Sequence, residues 1–550
     1  MKTRIPLKRR SSSWGGARRL VLLMPGMAAL LLLASGQASA ATLNVCPSGC
    51  PYTQLAPAIA AADDGDTIRI GPGTYAGGVT INVSVDVVGA GAGSTIIRGG
   101  GPVLTIGTFG ASSEPTVSID GITITGGVTR SSPESTPFVG EEGVIALGGG
   151  VEIPPNADFS GGATVRIRNS AITGNRVAPT TTLPFGPPCP GGPCPFAWAK
   201  GGGIDSWGTL TLEHTTVSDN RVGSASGLST LASDAQGAGI VSWLDALTIR
   251  SSVISGNVAS ATAPNGRFAE GGGIWIEGGP VVTVSDSSVT NNSAVLNAAL
   301  PASVELLAQP GGIFISDEVA RASITNTTIS GNSATMTNSV GGATAFAGGI
   351  NVGPDVDFQM ANSVVAGNTV TSTTLRRSHG DAEGDTGGGA LLGTITNTRI
   401  TGNTVTVSSA AGDATAFAGA IVDLGTITNS VISDNHVHAS SPSGTVFAAG
   451  GAIVVDEPGL TVRNSEVSGN TVGANGASGS ARGGGLFDAA IADGPPGGPL
   501  KLLNSGVTGN ALSGSPGIAL QGGGLYIENK PLTLTNSFIG NNSPDQCFGC

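Results

Sequence analysis

The chain has 550 residues, of which 11% are charged and 4% aromatic, with 89 glycines. Hydrophobic residues reach 39%, mostly Val, Ile, Leu and Ala alternating with Thr and Ser; this excludes a disordered polar chain and points to strands. With 25 Lys and Arg against 37 Asp and Glu, the balance excludes nucleic acid and anionic lipid as expected partners.

Residues 1–40 stand apart. Lys2, Arg4, Lys8, Arg9, Arg10, Arg18 and Arg19 precede the short apolar run LVLLMPGMAALLLLA, and SGQASA ends on small residues at Ala40. That order is a signal peptide rather than a membrane anchor, because Pro25 and Gly26 interrupt the run and no stop-transfer flank follows. Export to the cell exterior or surface is therefore expected, with no transmembrane segment left in the mature chain. Removing seven basic residues leaves 18 against 37, a net charge of −19.

Residues 41–100 form an opening region. LAPAIAAA is the one plausible amphipathic helix and predicts a helical cap over the first coil, with IRIGPGTY, VTINVSVDVVGAG and STIIRGG as its first strands.

From 101 to 550 one phrase recurs: GGGIDSWGTLTLEHTTVSDN at 201–220, GGGIWIEGGPVVTVSDSSVTNN at 271–292, and GGGLYIENKPLTLTNSFIGNN at 522–542. Each ends on an Asn: Asn175, Asn220, Asn257, Asn292, Asn332, Asn368, Asn403, Asn435, Asn470, Asn510 and Asn542, in steps of 32 to 45 residues. A fixed unit with variable insertions fits such steps. Three short alternating runs and three turns per unit predict an all-β fold, a single-stranded right-handed parallel β-helix in which each strand pairs with its counterpart one coil away. Helical repeats are excluded, since no 3.6-residue period appears. One coil cannot bury its own interior, so like residues must stack. Ile204, Ile240, Ile274, Ile313, Ile350, Leu486 and Leu525 should point inward. The terminal Asn residues should form an amide ladder, architectural rather than catalytic, with Gly174, Gly256, Gly331 and Gly367 before it at positive φ and Asp219 and Asp434 as substitutes.

The AIAAADDGDTIRIGPGTY stretch resembles the start of pectin-lyase-like β-helix proteins. The GGGI…LTLTNSxISGN phrase resembles the repeats of bacterial surface proteins of the polymorphic outer-membrane type. The resemblance covers nearly all of 41–550 and implies the fold. Polymorphic outer-membrane proteins carry a C-terminal autotransporter barrel; here the repeats run on to Cys550, so a released or loosely attached protein is expected. Polygalacturonases of the pectin-lyase-like group resemble one another through NTD, DD, GHG and RIK signatures. This sequence lacks that set, with only SHGD at 378–381 and RIRN at 166–169 as partial echoes.

No catalytic residues are assigned. The position after the inward Ile should face out, yet it holds Trp275 and Phe314, and two positions further Trp207 and Trp243 share a register. Either insertions such as ATAFAG at 343–348 and 414–419 cover this column, or it contacts a glycan or an envelope or surface protein. Stacked indoles with Asp205 beside them suit a pyranose, unless PFAWAK at 195–200 folds back over them. No cofactor is implied. Asp381, Glu383 and Asp385 offer oxygens suited to Ca²⁺, against the plainer reading of a solvated loop. The six cysteines fall into three local pairs, Cys46/Cys50, Cys189/Cys194 and Cys547/Cys550, which suit disulfides in an oxidising compartment. Two functional classes remain open: a non-catalytic exported protein acting in adhesion or envelope interaction, and a polysaccharide lyase or hydrolase with an unfamiliar site.

Overall fold

The computed structural model describes residues 40–550 apart from 132–142, 180–195, 224–231, 263–265, 301–305, 376–381, 386–392, 423–424, 456–458, 489–497 and 529. Residues 1–39, with the expected signal peptide, and Cys189, Cys194 and Asp381 lie outside the described residues.

Alternation of Leu or Ile with Thr or Ser puts every second side chain on one face of a strand. In one coil this gives Ile204–Ser206, Leu210–Glu213 and Thr216–Ser218, and each strand pairs in parallel with the next coil's Ile240–Ser242, Leu247–Arg250 and Val253–Ser255. Repeated along the chain, these runs build a parallel β-solenoid. Among the described residues, one face is a sheet of 15 strands, a second has 14, and the third is a sheet of eight continued by one of five. Inward residues meet like residues in register: Ile204, Ile240, Ile274 and Ile313 are fully buried, as are Leu210, Leu247 and Val282. The inner core is one continuous aliphatic column.

The glycine triplets have a steric cause. A Cβ at Gly273 would lie 2.6 Å from the Gly312 carbonyl oxygen of the next coil and 3.0 Å from Asn292 Nδ2. Successive coils therefore approach closely enough for the Asn side chains to bridge them only where no side chain intervenes. At the turn before the Asn, Gly174, Gly256, Gly331 and Gly367 hold φ of 61–66°, and Asp219 and Asp434 take the same conformation.

The described parts of the insertions form strands. Between each ladder Asn and the next glycine triplet, the chain runs out along one strand and back along another. These strands form a further parallel sheet of 20 strands. Outgoing strands place Val177, Val222, Ala259 and Ala294 in one row; returning strands of the same coils place Ala199, Ala235, Ala269 and Ala308 in another. The rows bury one another as a second, alanine-rich core. His436–Ala449 travels both legs as one strand, pairing with Thr404–Ser409 and then with Ala414–Phe417.

The helical cap is not supported. LAPAIAAA gives only Leu55–Ala60, six residues with no side-chain hydrogen bond at the N-cap. At about 1.5 Å per residue such a helix is about 9 Å long, too short to cover a coil of three sheets. The strand Thr42–Val45 precedes it and already opens the 15-stranded sheet. Disulfides join Cys46 to Cys50 and Cys547 to Cys550. Among the described residues, no helix is long and apolar enough to cross a membrane.

Candidate functional site

The returning strands lie over the outward face of the third inner sheet, and the space between them holds most of the buried ionisable groups among the described residues. From the inner sheet, Glu152, Asp205, Val241, Trp275, Phe314 and Asn351 form one outward row in register. From the returning strands, Leu147, Lys200, Gln236, Glu270 and Gln309 form another. The second alternates with alanines that face the outer core, so its polar residues turn the other way.

Trp207 and Trp243 follow the outward row. Their rings stack at 4.5 Å and 14°, and Trp243 Nε1 donates to Asp205 Oδ1 at 3.3 Å. The FAWAK part of PFAWAK does fold back as the strand Phe196–Lys200, but both indoles stay half-buried. Lys200 Nζ sits 4.1 Å from the Trp243 centroid and 5.0 Å from that of Trp198. Phe159 packs T-shaped on Trp207 at 5.9 Å. The indole pair thus turns its faces to itself, to Lys200 and to Phe159. It does not form the outward platform for a pyranose that stacking alone suggests. Successive coils set the two rings face to face across the coil spacing, whereas a platform needs them side by side. Trp275 and Phe314 stack likewise at 3.8 Å and 7°, with Trp275 buried and its Nε1 donating to Glu277 Oε2 at 2.8 Å.

The aromatic rings and the strand Gly143–Leu147 border a cavity of about 210 Å³. Phe159, Trp198, Trp207 and Trp243 supply the rings, and Ile145, Leu147 and Pro155 the remaining wall. Phe159 holds a φ of 57°, an unusual conformation for a bulky residue that places strain beside the cavity.

Behind the rings the electrostatics are unusual. Lys200 and Asp205 are buried at 6% and 0% exposure. Burial pushes the Lys200 amine below its ordinary range, opposed by the carboxylates of Glu277, Asp205, Asp234 and Glu270. Burial also raises Glu270 to about 7 and Asp234 to about 6, the nearby Lys200 opposing both shifts. Gln236 Nε2 donates to Glu270, Gln309 Nε2 donates to its other oxygen at 3.3 Å, and Asn351 Nδ2 donates to Gln309 at 3.1 Å. Towards the C-terminal end the same interlayer space is filled by Phe417, Phe447, Val454, Phe487 and Tyr526 instead. Insertions cover the outward column there.

A second ionic group lies on the open face of the 15-stranded sheet. Arg166 binds Glu213, and Arg168 reaches Asp120 at 3.3 Å. The Arg166 hydrogen bond holds Glu213 below the usual carboxylate range, with Arg250 and Arg168 adding to it.

Glu383 and Asp385 fall in the outer-layer strand Ala382–Asp385, paired with Ala343–Phe346 and Ala414–Phe417. Among the described residues no group of three His, Cys, Asp or Glu is placed to hold a metal. Sequence reasoning missed Lys200, Trp198, Asp234, Glu270 and Phe159. A signal existed for the first four: FAWAK, ASDAQ and GRFAE all carry an alanine in alternation with larger residues.

No family model and no curated protein matches the chain. Among solved structures it is similar to the A-module of the mannuronan C-5 epimerase AlgE6 of Azotobacter vinelandii, at 13% identity and a TM-score of 0.22, over 89% of this chain and 94% of that one. So low a score carries no argument about activity.

Proposed function

We propose that the protein is an exported, non-catalytic β-solenoid that acts in adhesion or in contact with envelope material. By its repeats we place it with the pectin-lyase-like and polymorphic outer-membrane-type proteins. The observation that carries the binding reading is how its ionisable groups are set. Acid–base work on a polymer needs carboxyls that reach one bond, one of them held protonated and the other ionised. Here Asp205, Glu270 and Lys200 are packed beneath aromatic rings and the outer layer. On the open face, Glu213 is fixed as a carboxylate by Arg166. An aromatic-walled cavity beside a rigid scaffold suits binding better than turnover.

The test is to incubate mature protein with a panel of polysaccharides and envelope fractions, and to measure retention together with new reducing ends or unsaturated products. Retention without product is expected. Product formation, abolished by Glu213→Gln or Asp205→Asn, would replace this reading with a polysaccharide lyase or hydrolase.

A further inference from the structure

The cavity beside Trp207 has a chemistry that selects its ligand. Building on the binding role proposed above, we infer that it takes a single apolar ring, an arene or a cycloaliphatic group of that size, and not a bare sugar. Three observations converge.

The wall is apolar throughout: four aromatic rings with Ile145, Leu147 and Pro155. A pyranose drawn into it would leave hydroxyls without partners, at a cost of about 1–3 kcal/mol for each one buried unpaired. An apolar ring meets no such penalty.

The volume fits. A cavity of about 150 Å³ lined by aliphatic and aromatic side chains stays dry and binds benzene. This one is about 210 Å³, room for a benzene ring with one or two small substituents.

The ring geometry favours an aromatic occupant. Trp207 and Trp243 spend their faces on each other and on Phe159 and Lys200. An aromatic guest can still meet them edge-to-face, the arrangement preferred between quadrupoles of this kind. Phe159 sets the size limit. Its ring reaches the wall from a backbone at φ 57°, a conformation that costs energy unless its surroundings enforce it. Phe109 at 5.8 Å and Trp207 at 5.9 Å hold it from two sides.

The probe is p-xylene, added to the full mature chain and followed by melting temperature and tryptophan emission, with cellohexaose as the bare sugar. A saturable rise in Tm and an emission shift are expected with p-xylene and neither with cellohexaose. Leu147→Phe should fill the cavity and weaken p-xylene binding at least tenfold. Should that variant fail to fold, Phe159→Ala supplies the second arm: it widens the site, so naphthalene should bind it more tightly than it binds the parent. Failure of p-xylene to bind the parent at saturation would overturn the inference. So would undiminished binding by a folded Leu147→Phe, or cellohexaose binding that the same change abolishes. Retention on the polysaccharide panel is read separately. If it persists in Leu147→Phe, the binding role stands whether or not the cavity takes a ring.

Discussion

Asn403 Oδ1 receives two hydrogen bonds from Asn368 at once, from Nδ2 and from the backbone N–H, each at 3.0 Å. Asn368 Nδ2 also donates to the Ile329 carbonyl at 3.0 Å, so one amide ties three coils. The pattern repeats from Asn175 to Asn542, where Gln546 stands in for the missing next Asn and accepts from Asn542 N and Nδ2. Asn368→Ala would leave buried donors and acceptors unpaired, at about 1–3 kcal/mol. Asn542→Ala should cost less. Its coil already exposes Leu534 and Phe538, at 48% and 59%, and can open locally without melting the array. Denaturant titration of both variants is the check, and equal losses would refute a ladder whose worth depends on its place in the array.

The glycine triplet and the ladder are one device, which makes Gly273 as sensitive as Asn292. With a Cβ 2.6 Å from the Gly312 oxygen, Gly273→Ala must push two coils apart and strain the Asn292 bonds. Overpacking of this kind costs about 1–3 kcal/mol. Gly367, whose Cβ would meet nothing within 4 Å, is a control in which the penalty comes from its φ of 61° alone. Thermal unfolding of Gly273→Ala and Gly367→Ala should rank them in that order.

The inner solenoid was legible because its signals are local and repeated. Variants of GGGI and LTLT return along the array with the terminal Asn, and a register error in one coil would misalign every neighbour. The outer layer was not legible as structure. Its strands are spelled in Ala, Ser, Thr and Val, residues that read equally as a loop, and Ala199 or Ala235 shows its purpose only beside Val222 or Ala259. The site suffered for the same reason. Trp207 and Trp243 could be paired from register alone, but Lys200, against the Trp243 ring, and Glu270, two coils further on, sit on insertions of unequal length. No spacing rule could place these residues.

The buried acids predict a pH dependence. Glu270 is raised from 4.5 to about 7 in the fold, so the native state holds its proton more tightly than the unfolded chain does. Stability associated with that proton is full below about pH 4.5 and is lost as pH rises through 7, on the order of 3 kcal/mol for a shift of this size. Asp234, raised to about 6, acts in the same sense over a lower window. Lys200 is displaced downward and works oppositely, favouring the fold as pH climbs towards its unfolded value. Melting temperature should therefore fall between pH 5 and 8. Glu270→Gln should flatten that fall, because a neutral amide can join the Gln236 and Gln309 row by turning its neighbours' amides. An unchanged slope in the variant would remove Glu270 as the cause.

The two cores should open separately. Ala235 is fully buried in the outer core, with Ala199 and Ala269 above and below it in the returning row. The row shares its buried cluster with Val222, Ala259 and Ala294 of the outgoing strands, a packing that leaves no room for a longer side chain. Ala235→Leu should cost about 1–3 kcal/mol by overpacking. The inner solenoid has its own aliphatic column and its own Asn ladder, both untouched by that change. Hydrogen exchange should then speed up at Arg221–Gly223, Ala232–Gln236 and Gly266–Glu270. Amides of Leu210–Glu213 and Thr216–Ser218 should keep their protection, because the inner coils unfold only with the array. If the inner amides lose protection in step with the outer ones, the layers form one cooperative unit, and the outer sheet is part of the solenoid's stability rather than a cover laid upon it.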